Sequence, residues 1–339
     1  MSFKAAVFGA SGYAGGELVK LIDSHEALGL VHLGAHSREG GLLGDVHPHL
    51  QGAHRALGPN DPDAAGDADV AFLALPHGAS AVLGRTLRSR GMVVVDLGSD
   101  YRLDGADRYM EAYGSEHPYP DELDDWAYGL PELFDVAGTT GIASPGCYPT
   151  AVLLALVPLM EAGLVDPVGV VADCLSGVSG AGRAVTADMT FGAVDEGVRA
   201  YGVTTHRHRP EIEMALDARL GGEHRLVFTP HLVPMLRGIL ATVTARGSVS
   251  TSDARECLAD FYSSAPFVDV VDRPPQTRWV VGSNRALVTA FADERTGSVV
   301  AQCAIDNLVK GAAGQAIQAA NVALGLSEEL GLPVSGWMP

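Results

Sequence analysis

The segment that most limits what this chain can become is its first two dozen residues. Phe3–Phe8 is an apolar run that breaks into Gly9-Ala10-Ser11-Gly12-Tyr13-Ala14-Gly15, and an amphipathic stretch over 16–24 follows. Such an order reads as strand, tight turn and helix. Glycines at this kind of turn let the backbone curl sharply and approach a pyrophosphate at the helix N-terminus. The spacing is G-x-x-G-x-x-G rather than the commoner G-x-G-x-x-G, yet it follows a strand and opens a helix, as a dinucleotide loop must. Gly9, Ser11, Gly12, Tyr13, Ala14 and Gly15 are therefore expected to bind a dinucleotide.

The alternation continues with strands expected at 30–35, 69–74 and 92–97 and a helix at 79–90. Strands alternating with helices predict a parallel sheet covered on both faces, the Rossmann-type α/β arrangement. After residue 147 the texture changes. Strands are expected at 168–175, 225–231, 239–245, 268–271, 279–281, 286–291 and 298–304, with helices at 149–162, 210–220 and 252–263. Strands that follow one another without a helix point to antiparallel pairing in a mixed α+β domain. Residues 307–324 return to helical spacing and are expected to pack back on the first domain. The predicted organisation is a dinucleotide-binding domain of 1–147 with 308–339, and an α+β catalytic and oligomerisation domain of 148–307.

A formal net charge of −18 argues against nucleic acid or an anionic membrane as the partner. The four cysteines show no C-x-x-C spacing, so neither a disulfide framework nor a cysteine zinc site is suggested. No cleavable signal and no long apolar span is read in the sequence, and a reducing cytoplasm is the expected location.

The end of the second strand bears on which dinucleotide binds. An NAD site places a carboxylate there for the ribose hydroxyls, and an NADP site replaces it with groups that accept a 2′-phosphate. Here the segment reads Gly34-Ala35-His36-Ser37-Arg38, with no carboxylate before Glu39. Ser37 and Arg38 therefore favour NADP(H).

Ser144-Pro145-Gly146-Cys147-Tyr148-Pro149-Thr150 sets a cysteine in a Pro/Gly turn ahead of an apolar run that reads as helical. Cys147 is thus expected at or just before a helix N-terminus, where backbone N–H groups and the helix dipole favour a thiolate. A thiol of pKa about 8.5 is a few per cent ionised at pH 7, whereas one at about 6 is roughly nine-tenths ionised. The run Tyr201-Gly202-Val203-Thr204-Thr205-His206-Arg207-His208-Arg209-Pro210-Glu211 supplies two histidines and two arginines before a helix expected from Pro210. A histidine near a thiolate can take its proton or polarise a carbonyl, and the arginines, Arg207 among them, suit an anionic substrate. The spacing H-x-H also suits a metal, as it does at His47 and His49, but no companion cluster is apparent and no metal is expected.

Ser176-Gly177-Val178-Ser179-Gly180-Ala181-Gly182-Arg183 is a second glycine- and serine-rich loop. Its backbone N–H groups beside a guanidinium suit a phosphate or a cofactor, which makes Ser179 and Gly180 cofactor-binding candidates and Arg183 a candidate for a substrate phosphate or carboxylate. The loop misses the nucleophile elbow G-x-S-x-G at its last position, which disfavours a serine hydrolase. Asp96-Leu97-Gly98-Ser99-Asp100-Tyr101-Arg102 closes a buried strand, at the end of the sheet where ligands bind. Arg102 is a candidate for a phosphate or carboxylate, or for a loop ion pair.

Taken in order, these segments resemble the N-acetyl-gamma-glutamyl-phosphate reductases of arginine biosynthesis, within the wider aspartate-semialdehyde dehydrogenase group. The resemblance spans the whole chain and also includes Ala74-Leu75-Pro76-His77-Gly78, Pro230-His231-Leu232-Val233-Pro234-Met235 and Gly282-Ser283-Asn284. It implies NADPH-dependent reduction of an acyl phosphate to an aldehyde with release of inorganic phosphate, through a thioester on Cys147. It further implies His208 as acid/base with His206 orienting or polarising the substrate, two roles the residues alone leave interchangeable. Pro76, His77 and Asn284 are expected near the nicotinamide. A homo-oligomer, commonly a tetramer, is implied as well. The same chemistry on aspartyl phosphate or on a carrier-bound acyl phosphate is the nearest alternative. A non-catalytic NADPH-binding sensor with a redox-active cysteine is the alternative from another class.

Overall fold

The computed structural model describes residues 2–184 and 186–338; Met1 and Pro339, the outer ends of the expected first domain, and Val185, within the expected second, lie outside the described residues. The chain divides into two compact units. One holds residues up to Pro145 together with Ala312–Leu332, the other Gly146–Gly311 and the tail from Pro333. Three short pieces therefore fall on the other side of the expected boundaries: 146–147, 308–311 and the tail. Gly146 and Cys147 open a helix that belongs to the second core. The tail is tied there by Trp337 N–H to the Val281 carbonyl and by Asn284 N–H to the Pro333 carbonyl, both at 2.8 Å.

The first unit contains β1 (Phe3–Phe8), α1 (Tyr13–Asp23), β2 (Leu28–Gly34), β3 (Val70–Leu73), α2 (Ala81–Ser89), β4 (Val93–Asp96), α3 (Ala106–Tyr113), β5 (Ala127–Tyr128) and β6 (Gly141–Ala143). The strands lie in the order β2-β1-β3-β4-β6-β5, and every neighbouring pair is parallel. Ala5 to Phe8 and Val70 to Leu73 are completely buried, as uninterrupted apolar strands between two helical layers must be. One face of α1 supplies Leu18, Val19, Leu21 and Ile22 to this core. The helix Gly314–Ala323 packs against α1 and β4 within the first unit. The chain runs from β1 to β2 on one side and from β3 outward on the other. That reversal between β1 and β3 opens a crevice at their carboxyl ends.

The second unit begins with α4 (Cys147–Glu161), followed by β7 (Val170–Ser176), α5 (Phe191–Val194), β8 (Arg199–Ala200), α6 (His208–Leu220) and β9 (Leu226–Leu232). It continues with β10 (Ile239–Arg246), α7 (Thr251–Phe261), β11 (Val268–Val270), β12 (Ala286–Asp293) and β13 (Ser298–Ile305). The sheet order is β11-β12-β13-β10-β7-β9-β8, antiparallel except for β11 with β12 and β7 with β9. Every residue from Tyr148 to Met160 is buried, because α4 runs through the core between the sheet and α6 and α7. Along β10, Ile239, Ala241, Val243 and Ala245 are buried, while Leu240, Thr242 and Thr244 are only half-buried on the other face.

Pro158 sits inside α4 and has no N–H for the Leu154 carbonyl one turn back. The Tyr262 hydroxyl, 2.8 Å away, donates to that carbonyl instead. Residues 279–281, expected as a strand, are not one: Thr277–Trp279 is a single helical turn. Gly282 follows with φ +82° and gives its N–H to buried Asp306, which bends the chain out of extended geometry. Among the described residues no helix is long and apolar enough to cross a membrane.

Candidate active site

In the first unit the glycine loop fills the crevice between the ends of β2 and β3. Gly9 takes φ +86°, and a Cβ there would lie 2.2 Å from the Ala74 carbonyl oxygen. Both Gly9 and Ala10 donate N–H to the Gly34 carbonyl at 2.9 Å. A Cβ on Gly15 would lie 2.1 Å from the Gly9 carbonyl oxygen, so only glycine lets α1 start this close to the loop. Gly12 caps α1 without a side-chain acceptor, an arrangement that suits a pyrophosphate at a helix N-terminus. His47 is buried against this loop, with Nε2 3.2 Å from the Ala10 carbonyl and its ring where a Cβ on Gly16 would have to go. It is a brace for the loop, a role that its H-x-H spacing does not reveal. Asn60 Oδ1 accepts the Gly9 N–H at 3.3 Å and is a further loop support that the sequence does not advertise.

Ser37 and Arg38 are exposed in the turn after β2, on one side of the glycine loop. Pro76 and His77 stand on the loop after β3, on its other side. Arg102 is 8 % exposed; its Nε donates to the Ser144 carbonyl at 2.7 Å and a terminal nitrogen to the Leu97 carbonyl at 2.8 Å. Those bonds stitch two loops together through their carbonyls.

In the second unit Cys147 is the first residue of α4, with Gly146 as the N-cap. The position puts its sulfur at the positive end of a long buried helix dipole, worth typically 0.3–1 kcal/mol at exposed sites and up to about 2 kcal/mol where partly buried. The Gly146 N–H is held at 2.7 Å by Oε1 of Glu211, a carboxylate completely buried on α6. The ring of His208, the first residue of α6, lies directly over Gly146. A Cβ on that glycine would fall 2.6 Å from His208 Nε2 and 2.8 Å from Cε1. His208 is therefore next to the turn that opens α4 at Cys147, and α6 begins at His208 rather than at Pro210.

His206 is not in an extended segment with His208, yet the two rings are 4.8 Å apart and nearly perpendicular. The His208 N–H donates to His206 Nδ1 at 3.1 Å, so His206 carries its hydrogen on Nε2. Burial, with Arg207 adding like charge, lowers its pKa to about 4 and keeps the ring neutral. Beside them the Tyr148 and Tyr201 hydroxyls are 2.9 Å apart. Burial pushes Tyr201 up to about 12 and Tyr148 higher still, which leaves two neutral hydroxyls.

Arg207 is the exposed N-cap residue of α6, and Arg183 is exposed just after the Val178–Ala181 turn. In that turn the Ser179 hydroxyl accepts from Asn307 Nδ2 at 3.0 Å, and Asn307 Oδ1 takes the Gly238 N–H at 2.7 Å. Ser179 and Gly180 thus belong to a loop fixed to the end of β13. Asn284 is fully buried in the turn after Gly282. Asp306 holds that turn and also accepts the Leu308 and Val309 N–H groups, while its own carbonyl takes the N–H of Gly311. A Cβ on Gly311 would lie 2.7 Å from that of Cys147, so this segment forms one wall of the cysteine site. Glu211 and Asp306 carry no signal in the spacing that would single them out. Among the described residues no group of three or more His, Cys, Asp or Glu side chains could hold a metal ion.

The arrangement offers a thiol at a helix start, an imidazole over the same turn, a neutral second imidazole, and a separate dinucleotide crevice. Residues 4–137 match the semialdehyde dehydrogenase NAD-binding domain, and residues 147–307 the semialdehyde dehydrogenase dimerisation domain. N-acetyl-gamma-glutamyl-phosphate reductases from Salinispora tropica and Acidothermus cellulolyticus are each 46 % identical and are covered, like this chain, over 100 % of their length. The one from Dehalococcoides mccartyi (strain BAV1) is 43 % identical with 99 % of both chains covered. Among solved structures, aspartate semialdehyde dehydrogenase II from Vibrio cholerae superposes with a TM-score of 0.72 at 17 % identity, over 95 % of this chain and 98 % of that one. The fold and the enzyme class, a reductase using a nicotinamide cofactor, follow from these matches. The chain belongs to the N-acetyl-gamma-glutamyl-phosphate reductase family of the semialdehyde dehydrogenases.

Proposed function

We propose that this protein reduces N-acetyl-L-glutamyl 5-phosphate to N-acetyl-L-glutamate 5-semialdehyde with NADPH, releasing phosphate, as a cytoplasmic step of arginine biosynthesis. The observation that carries the reading is the ring of His208 lying over Gly146, one residue before Cys147 at the start of α4. His208 takes the thiol proton, and the thiolate attacks the acyl phosphate carbonyl. The carbon–oxygen bond to phosphate breaks and a thioester on Cys147 remains, so that one difficult step is split into two. In this reading the backbone N–H groups of the first turn of α4 stabilise the carbonyl oxygen, a kind of contact worth about 3–4 kcal/mol in the transition state. His206, neutral and bearing its hydrogen on Nε2, donates a hydrogen bond rather than a proton.

The chemistry that NADPH supplies when bound is hydride donation to the thioester carbon. The resulting thiohemiacetal on Cys147 collapses with loss of the carbon–sulfur bond, giving the aldehyde and restoring the thiolate, which His208 can reprotonate. The crevice at the switch point fits the cofactor: its glycines admit a pyrophosphate, and Ser37 and Arg38 suit a 2′-phosphate. Arg183 and Arg207 are the exposed cations assigned to the substrate's phosphate and carboxylate. The half-buried face of the second sheet is the surface assigned to self-association, in line with the dimerisation-domain match, and a tetramer is the expected assembly.

Phosphate-dependent NADP⁺ reduction with N-acetyl-glutamate semialdehyde, beside aspartate semialdehyde, tests the reading. Wild type is expected to turn over the acetylated substrate only, and Cys147→Ser to keep NADPH binding while losing activity at least about 10³-fold. Turnover of aspartate semialdehyde alone would move the substrate, and an active Cys147→Ser enzyme would remove the thioester.

A further inference from the structure

The loop after β4 carries a buried carboxylate that the chemistry above does not use. Asp100 is completely buried and accepts four contacts from a segment twenty residues earlier in the chain. Oδ1 takes the Gly78 N–H at 2.6 Å and faces His77 Nδ1 at 3.0 Å, while Oδ2 takes the N–H groups of Ser80 and Ala81 at 2.8 and 2.9 Å. The loop bends to bring it there: Ser99, a residue with a side chain, holds φ +77°, a conformation maintained only where the surroundings impose it. The Ser99 hydroxyl lies 3.3 Å from the same His77 nitrogen. The face of the His77 ring is stacked on Tyr113, with centroids 3.9 Å apart and planes at 22°. Edge and face of the imidazole are thus both fixed by groups from outside its own loop.

His77 follows β3, across the switch point from the glycine loop. Ser37 and Arg38 lie at the β2 end, where the adenosine half of a dinucleotide would sit. The nicotinamide half would then run toward the carboxyl ends of β3 and β4. We propose that Asp100 is a positioning residue for cofactor binding. It holds the His77 ring in the Nδ1–H tautomer and in one plane, so that the ring meets the nicotinamide half with Nε2 as a hydrogen-bond acceptor, the partner an amide N–H requires. The inference rests on the assignment of NADPH to this crevice. A carboxylate so placed orients an imidazole and fixes which nitrogen carries the hydrogen.

The test is a double-mutant cycle on NADPH affinity with Asp100→Asn and His77→Phe, the phenyl ring retaining a stacking surface for Tyr113. Each single change is expected to weaken NADPH at least about fivefold, and the double variant to stay within about twofold of the weaker single. Multiplying effects in the double variant, or unchanged affinity in both singles, would overturn the proposal. Should Asp100→Asn fail to fold, the ¹⁵N resonances of His77 in the wild-type protein decide: a protonated Nδ1 is expected, and an Nε2–H tautomer overturns it. A wild-type protein that does not bind NADPH would instead refute the cofactor assignment itself.

Discussion

Replacing Gly146 by alanine isolates the contact on which the proposed chemistry depends. The backbone there has φ −66° and ψ 152°, which alanine adopts without strain, and the N–H to Glu211 needs no side chain. What changes is one methyl group, placed 2.6 Å from His208 Nε2, 2.8 Å from Cε1 and 3.0 Å from Cδ2. Carbon and nitrogen atoms rest near 3.5 Å, so the ring must move by about 0.5–1 Å or turn away. It has little freedom to do so quietly, since His208 is 7 % exposed and flanked edge-on by the rings of Tyr148 and His206. A misplacement of about 1 Å at a catalytic group costs up to 10²-fold in rate. Gly146→Ala should therefore lower kcat in the NADP⁺-reduction assay by about 10–100-fold, or about 1.4–2.7 kcal/mol in activation free energy. Overpacking adds about 1–3 kcal/mol of destabilisation, visible as a lower urea midpoint, while NADPH affinity should stay within about twofold because the cofactor crevice is built from other residues. A variant that folds with the methyl present and keeps kcat within about threefold of wild type would refute the placement of His208 as the acid/base.

Three further outcomes follow from the same contacts. Arg38→Asp should move the NADPH-to-NADH preference toward NADH by at least about tenfold, and a ratio that barely changes would remove Arg38 from 2′-phosphate binding. His206 takes its proton at about 4 when folded but near 6.5 when unfolded, so the unfolded state binds more protons between those values. Stability should thus be full above about pH 6.5 and fall as the pH drops, by about 3 kcal/mol by the time pH 4 is reached. His206→Gln should flatten that slope in urea titrations; equal slopes would show that the ring is not held neutral. Tyr262→Phe leaves the Leu154 carbonyl inside α4 without its donor and should cost about 1–3 kcal/mol of stability with activity preserved, a null effect on the urea midpoint speaking against the bond as a substitute for the missing proline N–H.

The legible parts of this protein are those in which neighbouring residues fix the outcome. The alternation of apolar runs with glycine turns places β1, α1, β3 and β4 to within a few residues, because a strand buried on both faces is written as an unbroken apolar run. Cys147 at a helix start is legible for a similar reason: a Pro/Gly turn before thirteen buried residues can hardly be anything else. The two-residue β5 and three-residue β6 are not legible, since so short a segment has no period to read. Residues 279–281 look like a strand by composition and are a turn because Asp306, far along the chain, pulls on Gly282.

The illegible residues share one physical form. Asp100, Glu211 and Asp306 are each fully buried, and each accepts at least one backbone N–H from a loop 19 or more residues away. Asp100 ties down the loop after β3, Glu211 the turn before Cys147, and Asp306 the turn that carries Asn284. A buried carboxylate left without donors would be costly, whereas one that accepts several N–H groups makes strong, charge-assisted bonds to them. Such a residue therefore demands that its loop be in place, which is what the proposed thiolate and cofactor crevice would both require. No local pattern announces it, because its partners are chosen by the fold. Acidic residues that look like solvated surface in the sequence are, at these three positions, what turns flexible glycine loops into fixed ones.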